Sequence, residues 1–323
     1  MKIVFMGTPD FSVPTLKALI DNHEVMCVVT KADRPKGRGN VMTAPPVKIL
    51  IEEHNAKVLS GEIIGNHIDI MQPESFKGDN LEPILNQLKS YDADVFVTIS
   101  YGKILPQAVL DIPKKGCINV HASLLPELRG AAPIWHSIIN GDKQSGVTTM
   151  MTDKGIDTGD MLLTETVDID DDMTTGQLHD KLAEISGPVL LKTLDMLEAG
   201  TLVRIPQDHS KATYAAMVDR ETGHIDWNKT AWEIHNLIRG TNPFPSAYTT
   251  EVSGMRVKIH KSCIFSQEII SGKEPGTVLK ADKEGIDVVT GYGVLRILEL
   301  QAEGARRMAA GDFTNGHKVT KFA

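Results

Sequence analysis

Cysteine is scarce in this chain: only Cys27, Cys117 and Cys263 carry a thiol, and they lie far apart in apolar, strand-like segments. Three scattered thiols support neither a disulfide framework nor a zinc motif, so a reducing compartment, the cytoplasm, is expected. Long apolar runs are missing too. No stretch reaches the roughly 18 uninterrupted apolar residues of a membrane helix, and no membrane partner is expected. The apolar start, Lys2 to Met6, meets Gly7-Thr8-Pro9 before it can form the core of an export signal. Low-complexity tracts and internal repeats are absent as well, which leaves an ordinary globular protein. The first strand-like run is not followed by Gly-x-Gly-x-x-Gly. It is followed by Gly7-Thr8-Pro9-Asp10, where Pro9 removes an N–H that a pyrophosphate would use. A nicotinamide-dependent oxidoreductase is therefore disfavoured.

A length of 323 residues is long for one hydrophobic core and comfortable for two. The net charge of −8 argues against indiscriminate binding to a polyanion, and no DNA partner is expected. The charge is uneven. From Gln207 onward there are 15 basic against 14 acidic residues, while the preceding part has 19 against 28. The second part is thus free to present a basic face.

Lys2 to Met6, then Phe11, Val13, Leu16 and Ile20 at helical spacing, then Glu24 to Thr30, read as strand, helix, strand. Strand-like segments recur at Lys57 to Leu59, Asp94 to Ser100, Gly116 to His121, Gly146 to Thr152 and Met161 to Ile169. Leu81 to Leu88 and Leu178 to Leu197 carry helical periodicity. Strands alternating with helices predict an α/β, Rossmann-like, mostly parallel sheet with helices on both faces. Ligands of such sheets bind beyond the carboxyl ends of the strands. Leu202 to Lys211, polar and broken by Pro206, reads as an exposed linker. Beyond it, a helix over Trp232 to Ile238 and short glycine-separated strands at Arg256 to Phe265, Gly276 to Leu279, Ile286 to Thr290 and Val294 to Leu300 predict a small OB-like β-barrel. The expected layout is a catalytic domain over 1–203, a linker over 204–211 and a barrel domain over 212–323.

Asn119 and His121 close one strand-like run two residues apart, so both side chains project to one side. Taken singly, Asn119 reads as a turn cap and His121 as a buried, hydrogen-bonded histidine. Their joint place at a strand end points to chemistry. A second loop, Asp153 to Asp160, holds three aspartates and two glycines after another strand. It lacks the ligand spacing and terminal glutamate of a calcium loop, and no metal is implied.

These segments resemble the folate-dependent formyltransferase family. The resemblance rests on Asn119 to Pro126, Arg129 to Ile134 and Ile156 to Leu162. Further matches are Gly7 to Phe11, Asp33 to Gly39, Ser100 to Pro106 and Ile225 to Trp227, in the family's order from Met1 to about Leu300. It implies Asn119, His121 and Asp157 as catalytic residues, Ser123, Leu124, Leu125 and Pro126 as the folate-contacting segment, and 10-formyltetrahydrofolate as formyl donor. Those residue types suit the reaction: a neutral amide stabilises the oxyanion, an imidazole moves the proton, and a carboxylate orients the imidazole. The family includes enzymes acting on small amines and on methionyl-tRNA. The basic stretch Thr30 to Pro46, with Arg34, Lys36 and Arg38, and the second domain favour initiator methionyl-tRNA, with Arg129 as a further RNA contact. Glu127 and Leu128 depart from the basic and aromatic pair that many relatives carry. The alternatives are transfer to a small-molecule amine and a non-catalytic RNA-binding protein.

Overall fold

A computed structural model describes residues 1–37 and 39–323, with Lys36 described by its backbone alone. Its strands are β1 (Lys2–Gly7), β2 (Glu24–Val29), β3 (Arg34–Lys36), β4 (Val41–Thr43), β5 (Asp69–Met71), β6 (Val95–Ile99), β7 (Cys117–His121), β8 (Arg129–Gly130), β9 (Gln144–Met151), β10 (Met161–Asp168), β11 (Tyr214–Ala215), β12 (Ala247–Thr250), β13 (Arg256–Ser266), β14 (Val278–Asp282), β15 (Gly285–Val289), β16 (Val294–Ala302) and β17 (Met308–Ala309). Its helices are α1 (Val13–Asn22), α2 (Pro46–Ser60), α3 (Leu81–Ser90), α4 (Gln107–Leu110), α5 (Pro133–Ile139), α6 (Thr175–Glu198), α7 (Ala231–Gly240) and α8 (Ala310–Thr314). The chain forms two compact units. One comprises 1–131, 146–167 and 179–214, the other 132–145, 168–178 and 215–323.

The large sheet has the order β10-β9-β7-β6-β1-β2-β5. The pairs of β1 with β2 and β6, of β6 with β7 and of β2 with β5 are parallel, and β9 runs antiparallel to β7. Strand order reverses at β1, with β2 on one side and β6 and β7 on the other, which makes the carboxyl ends of β1, β6 and β7 the place for a ligand. Ile3, Val4, Phe5 and Met6 are wholly buried, as a strand covered on both faces requires. Each such side chain contributes about 1.5–3 kcal/mol of transfer free energy. Leu85 and Leu88 seat α3 through its one apolar stripe. Lys57 to Leu59, expected as a strand, is instead the last turn of α2. Gly61 adopts φ 76° and its N–H donates to the carbonyl of Val58, a left-handed cap that ends a 15-residue helix.

In the second unit the order is β12-β13-β16-β15-β14, with β17 beside β16. Val257, Ile259, Ile286, Val288, Leu295 and Ile297 form its core with Ile234 and Ile238 of α7. The chain's last residues tie the two sheet edges together. At the β14 edge, Val278 N–H donates to Thr320 O (2.9 Å) and Phe322 N–H to Gly276 O (2.9 Å). At the β12 edge, Ala323 N–H donates to Thr250 O (2.8 Å) and Val252 N–H to Lys321 O (3.2 Å). The sheet thereby closes in the manner of a barrel and leaves no bare edge at that seam. Trp227 stacks on Phe322 at 5.7 Å beneath the closure. Gly276, at φ 86°, allows the approach, because a Cβ there would lie 2.2 Å from the Phe322 carbonyl.

Candidate active site

The end of β7 places Asn119 and His121 on one face of the large sheet, next to β6. Parallel register sets Thr98 opposite Asn119, and the Thr98 hydroxyl donates to Asn119 Oδ1 at 2.8 Å. That bond decides which way the amide faces. With its oxygen occupied, the Nδ2 group is the free donor, and it makes no hydrogen bond among the described residues. A neutral N–H donor held this way is what a developing oxyanion requires. Thr98 was not singled out in the sequence, although a hydroxyl near the end of an otherwise apolar strand was the available signal. Cys117, two residues earlier on β7, is buried, which pushes its thiol up to about 12 and removes it as a nucleophile.

His121 is 6% exposed. Its Nε2 lies 2.9 Å from the Leu128 carbonyl. A carbonyl only accepts, so Nε2 carries a hydrogen and Nδ1 is the nitrogen free to gain or lose one. Nδ1 lies 3.6 Å from Asp157 Oδ2, beyond a formed hydrogen bond but close enough for the carboxylate to stabilise positive charge on the ring. The same Oδ2 accepts the backbone N–H of Gly130 at 2.8 Å. Asp157 itself takes φ 54°, a left-handed conformation uncommon outside glycine.

The turn after His121 is built on Thr148 of β9. The Thr148 hydroxyl donates to Ser123 O at 2.7 Å and lies 3.3 Å from the Leu125 N–H. Ser123 is buried and donates to Glu127 O at 2.7 Å, so its hydroxyl is committed to the turn. Leu124 and Pro126 are the half-buried members of the four-residue segment, and Leu125 is buried. Any ligand here meets mainly aliphatic surface and backbone.

Arg129 corrects an expectation. It is 2% exposed, among the largest fully buried side chains, and cannot meet RNA from there. Its Nε and Nη2 donate to Gln207 Oε1 at 3.1 and 2.7 Å, and Nη2 also donates to His209 Nδ1 at 3.1 Å. The stretch 202–211 is exposed as expected apart from half-buried Leu202 and buried Gln207, but it is fastened down at two points. Ile205 and Met161 exchange two backbone hydrogen bonds of 2.9 Å, and Gln207 is 6% exposed. Gln207 Nε2 donates to the carbonyls of Asp157 (2.9 Å) and Gly159 (2.7 Å). No periodicity or motif in the sequence marked this glutamine.

Arg34 lies on the short antiparallel hairpin of β3 and β4, where Arg34 pairs with Thr43 and Lys36 with Val41. Arg34 is exposed. Arg38 and the Lys36 side chain lie outside the described residues. The hairpin's root is anchored by Asp33, which accepts Gln72 Nε2 at 2.8 Å and Lys48 Nζ at 2.9 Å. The hydrogen bonds from Gln72 and then Lys48 hold its carboxyl below the usual carboxylate range.

Residues 1–194 match the family described as formyl transferase, and residues 217–318 match the formyl transferase C-terminal domain. The methionyl-tRNA formyltransferase of Acetivibrio thermocellus is 48% identical over 320 residues, 99% of this chain and 97% of that protein. The protein of that name from Clostridium novyi is 46% identical over 319 residues, 99% and 98% of the two chains. Among solved structures, an N-formyltransferase from Helicobacter canadensis with folinic acid and dTDP-3-aminofucose aligns with a TM-score of 0.65 at 18% identity, over 92% of this chain and 99% of that one. A sugar 3N-formyl transferase, WlaRD, in the presence of dTDP and 5-N-formyl-THF, aligns with a TM-score of 0.64 at 19% identity, over 95% and 99%. Among the described residues, no helix is long and apolar enough to cross a membrane.

Proposed function

The chain belongs to the formyl transferase family, and from that premise we propose that it moves the formyl group of 10-formyltetrahydrofolate onto the amino group of initiator methionyl-tRNA, in the cytoplasm, for translation initiation. The acceptor follows from similarity along the whole chain, second domain included, to proteins named methionyl-tRNA formyltransferase. Catalysis belongs to the first domain and RNA binding to the second, over 212–323. The observation that carries the chemistry is the Asn119 amide, aimed by Thr98 from the strand face that also holds His121.

The donor supplies a one-carbon unit at the formyl level. When the amine attacks its carbon, Asn119 Nδ2 donates to the oxygen on which charge gathers, worth about 3 kcal/mol of barrier for a fixed donor. His121 Nδ1 takes the proton that the amine must shed and returns it to the folate nitrogen as the old carbon–nitrogen bond breaks. Asp157 stabilises the imidazolium between those two events. Ser123, Leu124, Leu125 and Pro126 line the folate. Arg34, Lys36 and Arg38 approach the acceptor's phosphates.

The test is a competition among methionyl-tRNA, glycinamide ribonucleotide and an amino-sugar nucleotide as acceptors, with wild type and His121→Ala side by side. Formylation of methionyl-tRNA alone, abolished in the variant with tRNA affinity retained, is the expected result. Preference for either small amine would overturn the acceptor assignment. Near-normal turnover by His121→Ala would overturn the mechanism.

A further inference from the structure

We propose that Gln207 is a positioning residue for formyl transfer, setting the place of the Asp157 carboxylate by holding the backbone of its loop. The inference rests on the assignment of Asn119, His121 and Asp157 made above, and goes beyond it to what holds them.

The carboxamide of Gln207 is used in full. Its Nε2 donates to the carbonyls of Asp157 and Gly159, which flank the turn carrying the carboxylate, at 2.9 and 2.7 Å. Its Oε1 accepts both Nε and Nη2 of Arg129. Two donors and one two-lone-pair acceptor are all that an amide has. Both residues are more than nine-tenths buried, so these bonds are shielded from competing water.

At its end the loop is also tied to β9, where Met151 N–H donates to Asp160 O at 2.9 Å, but its tip has little else to hold it. Residues 153–156 are exposed, and Ile156 is 59% exposed, so no apolar side chain anchors the turn. Asp153 Oδ1 accepts Gly155 N–H and Thr158 Oγ1, which organises the loop internally without fixing it to the sheet. Asp157 keeps a left-handed backbone that a non-glycine residue does not favour unaided. The Gly130 N–H pulls its side chain and the Gln207 amide pulls its carbonyl. The buried Arg129 serves to lock the glutamine, which gives that charge a role that RNA contact does not.

Glutamate at this position separates positioning from mere packing. A Gln207→Glu carboxylate still accepts from Arg129 but has no N–H for the two loop carbonyls. If Gln207 only satisfies Arg129, glutamate rescues everything. If it positions Asp157, glutamate restores the fold and not the rate. In the full-length protein, we expect Q207E to melt close to wild type while Q207A melts lower. In both variants kcat should fall about 10- to 100-fold, the penalty for a misplaced reacting group, with KM for folate and tRNA unchanged within about twofold. A readout independent of turnover is the 15N signal of His121 Nδ1, taken below the melting point of the least stable variant. In Q207E it should move from its wild-type value to that of Asp157→Asn. Wild-type turnover in Q207E, or an unmoved His121 signal, would overturn the proposal. Absence of formyl transfer by the wild-type chain would sink the functional reading instead, and the His121 signal would still decide the positioning role.

Discussion

Replacing Thr98 by valine tests whether the Asn119 amide is aimed by its neighbour or merely sits beside it. Valine keeps the β-branched shape and nearly the volume of threonine at a position 7% exposed, so β6 should remain in place. What disappears is the 2.8 Å hydrogen bond to Asn119 Oδ1. Such a bond is worth about 0.5–1.5 kcal/mol net, and its loss lets the amide turn so that either end faces the reacting oxygen. A fixed oxyanion donor is worth about 3 kcal/mol, or roughly 150-fold in rate. Surrendering about 1 kcal/mol of orientation should therefore slow the chemical step about fivefold, whereas Asn119→Ala should approach the full loss. Single-turnover formylation with saturating folate and acceptor isolates that step. The decisive arm is the double variant: once Asn119 is alanine, Thr98 has nothing left to orient, and T98V should cost almost nothing further. Multiplicative losses across the cycle would refute the orienting role, as would a T98V enzyme of wild-type speed.

Two further outcomes follow from close packing and from buried histidines. A Cβ at Gly159 would stand 1.8 Å from the Met151 carbonyl, so Gly159→Ala must push the Asp157 loop off the sheet, with a loss of at least about tenfold in kcat; an alanine variant as active as wild type would remove the loop's posture from the mechanism. In the second unit, burial above all holds the His235 imidazolium below its ordinary range, while its ring faces Ser262, the Asp171 carbonyl, the Asp172 carboxylate and Arg239; burial does the same to His260. The unfolded chain then binds more protons than the folded one as pH drops below about 6.5, so stability is complete above that value and declines on acidification. Melting temperatures from neutral to mildly acidic pH should fall accordingly, and His235→Gln should flatten the trend; an equal slope in wild type and variant would refute the assignment.

Much of the architecture was legible because apolar period and burial agree. The continuous run of β1 matches a strand covered on both faces, and the spacing of Leu81, Leu85 and Leu88 gave α3 its stripe. Asn119 and His121 could be paired from strand alternation alone, since period two is local information. Arg129 could not be placed that way. A charged residue in a turn reads as solvent-facing, and Gln207 and His209, 78 and 80 positions later, make its burial tolerable. The exposure of 202–211 was legible, but the one buried side chain in it, Gln207, was not, since a polar side chain looks identical whether it meets water or a loop's carbonyls. The short run Lys57 to Leu59 lacked the length to distinguish a strand from the end of a helix, and Gly61 settled it from outside the window. Beyond Leu300 the family resemblance faded and the role stayed open, because residues 320–323 act through backbone hydrogen bonds to both barrel edges and through the one buried ring of Phe322.

The fastening of Ile205 and Gln207 also bears on how such a protein is dissected. A fragment trimmed to the N-terminal family match, ending at residue 194, or at the compositional border near 203, would contain every side chain proposed for catalysis and omit the glutamine that holds the loop of one of them. It would be complete as an inventory and defective as a machine, with Arg129 left as a buried charge lacking its amide partner. Modularity by sequence and modularity by mechanism thus have different borders here. The segment that leads onward to the second domain belongs, in working terms, to the domain it is leaving.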